Sequence, residues 1–322
     1  MFEHLPKRVY LREVGPRDGL QNEPVFVPTE VKKEFIRRLA ATGLPHIEIT
    51  SFVHPKWIPA LADSAEIGKE FAQFGKTHTS ALVPNMKGLE GAEQAGMKEV
   101  AVFMSASESH NKTNVNRSIK ESLSQLEELI PTIKSKGVRV VGSVSVVFGC
   151  PFEGEIKAEQ VAPVVKNLLD FGADYISLGD TIGVGTPTQT KRLLERLLPI
   201  VEPKRIGIHL HDTQSTALAN AVAALEMGIT AFDGSVGGLG GCPYAPGASG
   251  NVPTENLVYM FHGMGIETGV DLTKLLEVGV WIQDQLGHPL TSSGLRAYIG
   301  RKARAAEKAA QKAAGMATAA AT

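Results

Sequence analysis

The stretch that decides the fold is Val9-Tyr10-Leu11-Arg12-Glu13-Val14-Gly15-Pro16-Arg17-Asp18-Gly19-Leu20-Gln21-Asn22-Glu23. It begins as a strand with alternating apolar side chains and breaks at Gly15-Pro16. An open, doubly wound nucleotide-binding sheet would carry Gly-x-Gly-x-x-Gly after its first strand, and no such motif follows here. The first strand therefore favours a closed barrel over the open sheet.

Strand-like and helix-like segments alternate along the rest of the chain. The predicted strands are Val9–Val14, His46–Phe52, Thr77–Val83, Glu99–Met104, Val138–Val147, Tyr175–Leu178, Arg205–His211 and Ala231–Val236. The predicted helices are Pro28–Thr42, Ala60–Phe74, Met86–Gly96, Asn116–Lys136, Lys157–Phe171, Pro187–Val201 and Thr216–Met227. Eight strands, each followed by a helix, over about 270 residues predict an α/β fold, a (β/α)₈ TIM barrel with a C-terminal helical extension.

The domain boundary is expected near residue 300. Residues 1–300 are predicted to form a single barrel domain that includes the C-terminal helices. Residues 301–322 are rich in Ala, Lys and Arg and contain no aromatic side chain, which indicates a frayed helix or a disordered end rather than a nucleic-acid-binding element.

Composition narrows the class of protein. The chain has 322 residues, 43% hydrophobic and 21% charged, with a formal net charge of -1, so nothing attracts it generally to nucleic acid or anionic membranes. Two cysteines are too few for a disulfide scaffold and fit a reducing compartment. The first strand begins too early for a targeting peptide, and no apolar run approaches the roughly 20 residues of a membrane span. We expect a cytoplasmic protein without membrane or nucleic-acid partners.

The strongest sign of a functional site is a glycine-rich segment that we call the cysteine loop. Its sequence is Gly240-Gly241-Cys242-Pro243-Tyr244-Ala245-Pro246-Gly247-Ala248-Ser249-Gly250-Asn251. Glycine and proline at this density allow tight turns and close approach to a ligand, and the cysteine adds a titratable thiol. The alternative is an irregular connection with a chance cysteine.

Two polar pairs lie at or just after the ends of predicted strands. His209 and His211 face the same way along a strand, about 7 Å apart, which suits a metal, although such pairs are also common as ordinary core or surface histidines. Arg17 and Asp18 could form a surface ion pair worth about 0–1 kcal/mol. They could equally place a guanidinium beside a hard oxygen ligand at the mouth of the barrel.

The barrel would bring these polar residues to one rim, because active sites of this fold lie at the C-terminal ends of the strands. Polar residues at or just after predicted strands are Arg17, Asp18, Glu48, Asp180, His209 and His211, and the cysteine loop follows strand eight. Cys150 follows strand five, where we expect a small buried hydrophobe.

Four segments together resemble one family, the 3-hydroxy-3-methylglutaryl-CoA lyases of the barrel-type metal-dependent lyase, aldolase and synthase superfamily. They are Val14–Glu23, Val147–Pro151, Ser177–Gly183 and Cys242–Asn251, and the likeness runs from about Val9 to Gly300. The resemblance implies cleavage of hydroxymethylglutaryl-CoA to acetyl-CoA and acetoacetate, a reaction of leucine degradation and ketone body formation. It implies metal ligands at Asp18, His209, His211 and Asn251, catalytic groups at Arg17 and Cys242, and supporting roles for Glu48 and Asp180. A homodimer is expected.

Metal-assisted cleavage of a carbon–carbon bond requires residues of these types. Two oxygen and two nitrogen ligands leave two octahedral positions open to a chelating substrate, which suits Mg²⁺ or Mn²⁺, whereas zinc would more often recruit a cysteine. Arg17 could hold the developing enolate oxygen, with Glu48 as its partner, and Cys242 could act as general acid. Both His209 and Asp18 are plausible as the base.

Two departures from the family pattern leave the substrate pocket open. Gln214-Ser215-Thr216 stands where Tyr-Gly-Gln is usual, and Pro24 stands where lysine is common. A paralogue that cleaves a related 3-hydroxy-3-alkylglutaryl-CoA is therefore an alternative. A condensing synthase of the superfamily and a non-catalytic CoA-binding protein rank lower, because the cysteine loop and all four ligands are present. Leucine breakdown and a terpenoid-acid pathway both fit.

Overall fold

Eight parallel strands close into a barrel in the computed structural model, which describes residues 5–241 and 250–319. The barrel strands are β1 (Tyr10–Glu13), β2 (His46–Ser51), β3 (His78–Leu82), β4 (Glu99–Ser105), β5 (Arg139–Ser145), β8 (Tyr175–Asp180), β9 (Ile206–Leu210) and β10 (Ala231–Gly234). Their order around the barrel is β1-β10-β9-β8-β5-β4-β3-β2. A short hairpin, β6 (Gly149–Cys150) with β7 (Gly154–Glu155), follows β5. The predicted TIM barrel is confirmed.

Helices surround the barrel and extend beyond its last strand. They are α1 (Thr29–Ala40), α2 (Ser64–Phe71), α3 (Met86–Gln94), α4 (Glu108–Val115), α5 (Ile119–Ser135), α6 (Ala158–Asp170), α7 (Pro187–Leu197), α8 (Ala217–Glu226), α9 (Thr254–Gly263), α10 (Leu272–Leu286) and α11 (Ser293–Ala319). The last two helices form the predicted C-terminal extension. Helix α11 continues through residues 301–319, so of the two expectations for this tail the structure describes the helix, with exposed side chains up to residue 312.

The core lies between the barrel and its helices. Ile206 and Ile208 of β9 are buried on the helix side, while His209 points into the barrel. Each fully buried side chain of this size stabilises the fold by about 1.5–3 kcal/mol. The alternation that predicted the strands is thus the alternation between a helix-packed face and the barrel interior.

The predicted helix Asn116–Lys136 begins three residues too early. Asn116 has a left-handed backbone (φ 55°) and ends α4, which the sequence did not predict. Ser118 then starts α5 with a capping box, in which its hydroxyl accepts from the Glu121 N–H and Glu121 bonds back.

The ends of two strands also differ from prediction in ways that affect the rim. Strand β1 ends at Glu13, and Arg17 and Asp18 lie on a π-helical turn, Gly15–Gly19, rather than on the strand end. Strand β8 extends to Asp180, which therefore ends the strand instead of following it. Turns of the π type recur at functional sites because they re-aim side chains locally.

Cys150 is buried, as predicted, with its sulfur 3.0 Å from the Ser107 hydroxyl. Across the described ranges, every helix is too short or too polar to cross a lipid bilayer.

Candidate metal centre

Asp18 is hydrogen-bonded through both of its carboxylate oxygens. Its Oδ1 accepts from Arg17 Nη1 at 2.7 Å, and its Oδ2 accepts from Asn251 Nδ2 at 2.8 Å. Burial alone would raise its pKa, but the charges of Arg17, His209 and His211 outweigh burial and lower that pKa to about 2. The Asp18 carboxylate is therefore ionised at neutral pH, the state in which it could bind a metal.

The two histidines face Asp18 from β9 and the residue after it. Their ring centroids lie 5.2 Å apart, and one ligand atom from each of Asp18, His209 and His211 falls within 4.8 Å of the others. His211 Nε2 lies 3.9 Å from Asp18 Oδ2, too far for a hydrogen bond. Burial lowers the pKa of His211 to about 4, which keeps its imidazole neutral and able to bind a metal.

Asp233 of β10 orients His209. Its Oδ2 lies 3.1 Å from His209 Nδ1, and it also receives Arg12 Nε at 2.9 Å on Oδ1. Burial works against a charged imidazole, but the hydrogen bond and charge of Asp233 prevail and raise the pKa of His209. With Nδ1 occupied, Nε2 is the atom that His209 offers to the cluster, the arrangement that usually supports metal-bound histidines.

Sequence reasoning missed Asp233 and Arg12. Both are charged residues buried within barrel strands, and they pair with each other across the β1–β10 register. A charged residue in such a strand is rarely buried unless it is paired, so their presence was the available signal.

Asn251 has a side-chain oxygen without a hydrogen-bond partner among the described residues. Its backbone bridges to His211, and its Nδ2 donates to Asp18 and to the Leu239 carbonyl at 3.0 Å. Its Oδ1 is buried without a hydrogen bond. Leaving such an oxygen unpaired is costly, and a cation beside Asp18 would satisfy it. This donor set therefore fits a divalent ion.

Arg17 is held by carboxylates on two sides. Its Nε donates to Glu48 Oε2 at 3.0 Å, and its Nη1 donates to Asp18. Glu48 is buried on β2, as the strand assignment implied. The guanidinium is thus fixed next to the metal cluster, where it can meet negative charge without reorganising.

Asp180 differs from the other residues because its bonds are to its own turn. It is fully buried and accepts from Val184 N–H at 3.1 Å and Gly185 N–H at 2.9 Å. Burial raises its pKa to about 6. The contacts of Asp180 shape the β8–α7 loop, which borders β9 and its histidines.

The base of the cysteine loop is tightly packed. A Cβ on Gly250 would lie 2.4 Å from the Gly240 carbonyl oxygen, and one on Gly240 would lie 2.6 Å from Asn251 Nδ2. Only glycine permits this approach of the two flanks. Cys242 itself lies outside the described residues, so its predicted role is not addressed by these contacts.

Comparison with known proteins agrees with this geometry. The HMGL-like family model matches residues 8–282. A hydroxymethylglutaryl-CoA lyase of Bacillus subtilis is 51% identical over 293 residues, covering 91% of this chain and 98% of the relative. The mitochondrial hydroxymethylglutaryl-CoA lyase of Bos taurus is 51% identical over 287 residues, covering 89% of this chain and 88% of the relative.

Solved structures show the same likeness. The crystal structure of the Bacillus subtilis HMG-CoA lyase superimposes with a TM-score of 0.89, covering 91% of this chain and 99% of that one at 51% identity. An Acinetobacter baumannii HMG-CoA lyase in complex with coenzyme A and 3-methylmalate gives a TM-score of 0.87, covering 90% and 95% at 38% identity.

Proposed function

The chain belongs to the HMGL-like family, and from that premise we propose that it is a divalent-metal-dependent lyase that cleaves 3-hydroxy-3-methylglutaryl-CoA to acetyl-CoA and acetoacetate. The observation that carries the proposal is the cluster of Asp18, His209 and His211 beside the fixed Arg17 guanidinium. A metal cluster alone would fit many enzymes. A metal cluster beside an arginine that is held in place by carboxylates fits a reaction in which an enolate forms next to the metal.

Asp18, His209, His211 and Asn251 would hold the ion, with Asn251 contributing the buried Oδ1. When bound, a divalent ion lowers the pKa of the substrate's tertiary hydroxyl and orients a second substrate oxygen. The mixed oxygen and nitrogen set, with no cysteine among these four residues, supports Mg²⁺ or Mn²⁺.

Arg17 stabilises the negative charge of the enolate that forms when the C2–C3 bond breaks. As the C2–C3 bond breaks, its electron pair moves onto the acetyl thioester and generates an enolate oxygen. The guanidinium, held by Glu48 at 3.0 Å and by Asp18 at 2.7 Å, keeps its remaining N–H groups for that oxygen. Protonation of the enolate carbon then completes acetyl-CoA, and we assign that proton to Cys242.

His209 can serve as either ligand or base, but not through the same nitrogen at once. Because Asp233 occupies Nδ1, only Nε2 faces the site. We assign His209 to the metal, and Asp18, with its pKa of about 2, is too weak a base to deprotonate the hydroxyl unaided. A bound divalent ion would lower the pKa of the substrate's tertiary hydroxyl, so that its proton could pass to a solvent water as the C2–C3 bond breaks.

Substrate range, assembly and compartment extend the proposal. The departures at Pro24 and Gln214–Thr216 keep longer 3-hydroxy-3-alkylglutaryl-CoA esters as the second candidate. We expect a homodimer in solution and a cytoplasmic enzyme of leucine breakdown. A comparison of kcat/KM across an alkyl series, in a coupled assay with Mg²⁺ or Mn²⁺, tests the substrate range. Light scattering tests the homodimer.

The metal ligands provide the direct test. His211→Ala or Asp18→Asn should cut turnover by at least about 100-fold, because the chelate contributes several kcal/mol to the transition state. Dialysis against EDTA should abolish activity, and added Mg²⁺ or Mn²⁺ should restore it. Full activity after dialysis would contradict the proposed function.

A further inference from the structure

Glu13 is a buried carboxylate to which neither the family resemblance nor the proposed chemistry gives a role. It ends β1, has no exposed surface, and joins three separate segments. Its Oε1 accepts from Gly15 N–H and from Val236 N–H, both at 2.9 Å. Its Oε2 accepts from the Thr254 hydroxyl at 2.6 Å.

Two of these segments carry proposed metal ligands. Gly15 opens the π-helical turn on which Asp18 lies. Thr254 follows Asn251 by three residues, and the chain between them is held on both sides. Val252 N–H donates to the Leu210 carbonyl at 2.9 Å, and Thr254 N–H donates to the Ser235 carbonyl at 3.2 Å. Asn251 and Pro253 also form isolated bridges to His211 and Ser235, so a displacement of Thr254, the first residue of α9, would shift Asn251 as well.

The Glu13 carboxylate is closely packed by its neighbours. A Cβ on Gly15 would lie 2.6 Å from Glu13 Oε1, so the turn packs directly against the carboxylate. A second buried carboxylate, Glu255, accepts from Gly237 N–H at 3.1 Å with each oxygen. The Val236–Gly237 segment is consequently fixed from two sides.

From these contacts we infer that Glu13 is a positioning residue that sets the spacing between Asp18 and Asn251, and so tunes divalent-metal affinity without touching metal or substrate. The inference rests on the proposed metal site. Its physical basis is that Asn251 Nδ2 must reach Asp18 Oδ2 at 2.8 Å while Oδ1 keeps its place for the ion. Groups that orient ligands in this way typically change metal affinity by about 10–100-fold when removed.

The test removes one arm of the Glu13 contact while leaving Glu13 and every proposed ligand in place. Thr254→Val is nearly isosteric and deletes only the hydroxyl that reaches Glu13, whereas Thr254→Ser retains it. Mn²⁺ binding to the substrate-free protein is followed by the loss of the free-ion EPR signal. We expect Mn²⁺ affinity to fall at least about tenfold in Thr254→Val and to recover in Thr254→Ser.

A matched control separates positioning from general destabilisation. Thr190 is also fully buried, in α7, and its hydroxyl donates to the Thr186 carbonyl. Thr190→Val should lower the melting temperature without changing Mn²⁺ affinity. Glu13→Gln provides a second measurement, because it keeps Oε1 as an acceptor but replaces Oε2, and it should weaken Mn²⁺ binding in the same direction as Thr254→Val.

The outcomes are distinguishable. If the wild type binds no Mn²⁺, or if Asp18→Asn binds it as well as the wild type, the metal site fails and the inference falls with it. If the wild type binds Mn²⁺ and Thr254→Val binds it equally well, the role of Glu13 is overturned while the lyase proposal stands. Equal loss of affinity in Thr254→Val and Thr190→Val would also overturn it.

Discussion

Arg17 and Asp18 are adjacent in sequence but point toward different partners. Asp18 faces the histidines, whereas the Arg17 guanidinium is held between Glu48, through Nε, and Asp18, through Nη1. A surface ion pair would contribute about 0–1 kcal/mol and would have no such orientation. The π-helical turn makes the difference, because it aims both side chains toward the barrel mouth.

Replacement of Arg17 should separate catalysis from binding. Arg17→Gln should lower kcat far more than it raises KM, because the guanidinium meets charge that exists only in the transition state. Steady-state kinetics with hydroxymethylglutaryl-CoA measure both constants. Arg37→Gln, which removes a half-exposed cation on α1, is the control and should leave both unchanged. A change confined to KM would make Arg17 a substrate-binding residue instead.

Cys242 carries the prediction that distinguishes a lyase from a CoA-binding protein. Cys242→Ser should keep metal and CoA-ester binding but lose about 100-fold or more in turnover, the usual scale for a general acid. Thiol alkylation should inactivate the wild type, with protection by a bound substrate analogue. Cys150→Ala should be inactivated just as readily, since Cys150 is only 3% exposed. Wild-type turnover in Cys242→Ser would leave the thiol without a catalytic role.

At the scale of elements, the site depends on how the end of β9 meets the segment after the cysteine loop. Residues 250–254 pair with both β9 and the end of β10, through Asp212 N–H to the Gly250 carbonyl and Ser235 N–H to the Val252 carbonyl, each at 3.1 Å. This pairing brings Asn251 opposite His211. Residues 40 positions apart in sequence thereby lie side by side at the candidate metal site.

The close approach at Gly250 should be essential to that pairing. Gly250→Ala would place a Cβ 2.4 Å from the Gly240 carbonyl, so backbone must shift and Asn251 must move with it. We expect weaker Mn²⁺ binding and a turnover loss comparable to that of a ligand variant. Gly263→Ala is the matched control, because its Cβ would meet nothing within 4 Å on α9. Equal activity in the two variants would contradict the structural role of Gly250.

At the scale of the whole molecule, the C-terminal helices divide into a packed part and an exposed part. Leu290 and Leu295 are buried, with Leu290 against Gly237 and Leu295 against Gly279. Beyond Gly300 the side chains described up to residue 312 are exposed, and Lys302 makes surface contacts with Glu277 at 3.4 Å and with the Tyr298 ring. The extension therefore stabilises the base of the cysteine loop up to about residue 300.

Truncation should reveal this boundary. Removal of residues 301–322 should leave kcat/KM within about twofold of the wild type and barely change the melting temperature, because surface groups contribute about 0.5 kcal/mol or less each. Removal of everything after Leu286 deletes Leu290 and Leu295 and should destabilise the barrel severely, since each buried leucine contributes about 2–5 kcal/mol. Thermal unfolding and activity of both truncated chains measure the difference. Loss of activity on removing only residues 301–322 would extend the functional domain to the tail.

The sequence by itself determined the barrel, the lyase family and the candidate residues of the rim. Alternating apolar residues define strands locally, and parallel strands of a closed barrel must end at one rim, so Asp18, His209 and His211 could be grouped before any coordinates were known. The TIM-barrel and lyase predictions are confirmed, while the roles of the site residues stay predictions.

Only the tertiary structure decided how those residues are held. Asp233 bonds to His209, 24 residues away in sequence, and Glu13 bonds to Thr254, 241 residues away. The turn that aims Arg17 depends on its backbone geometry. No local pattern encodes such contacts, because a buried charge is identified by its partner rather than by its neighbours in sequence. Sequence periodicity fixes which way a side chain points, and packing alone fixes what it meets.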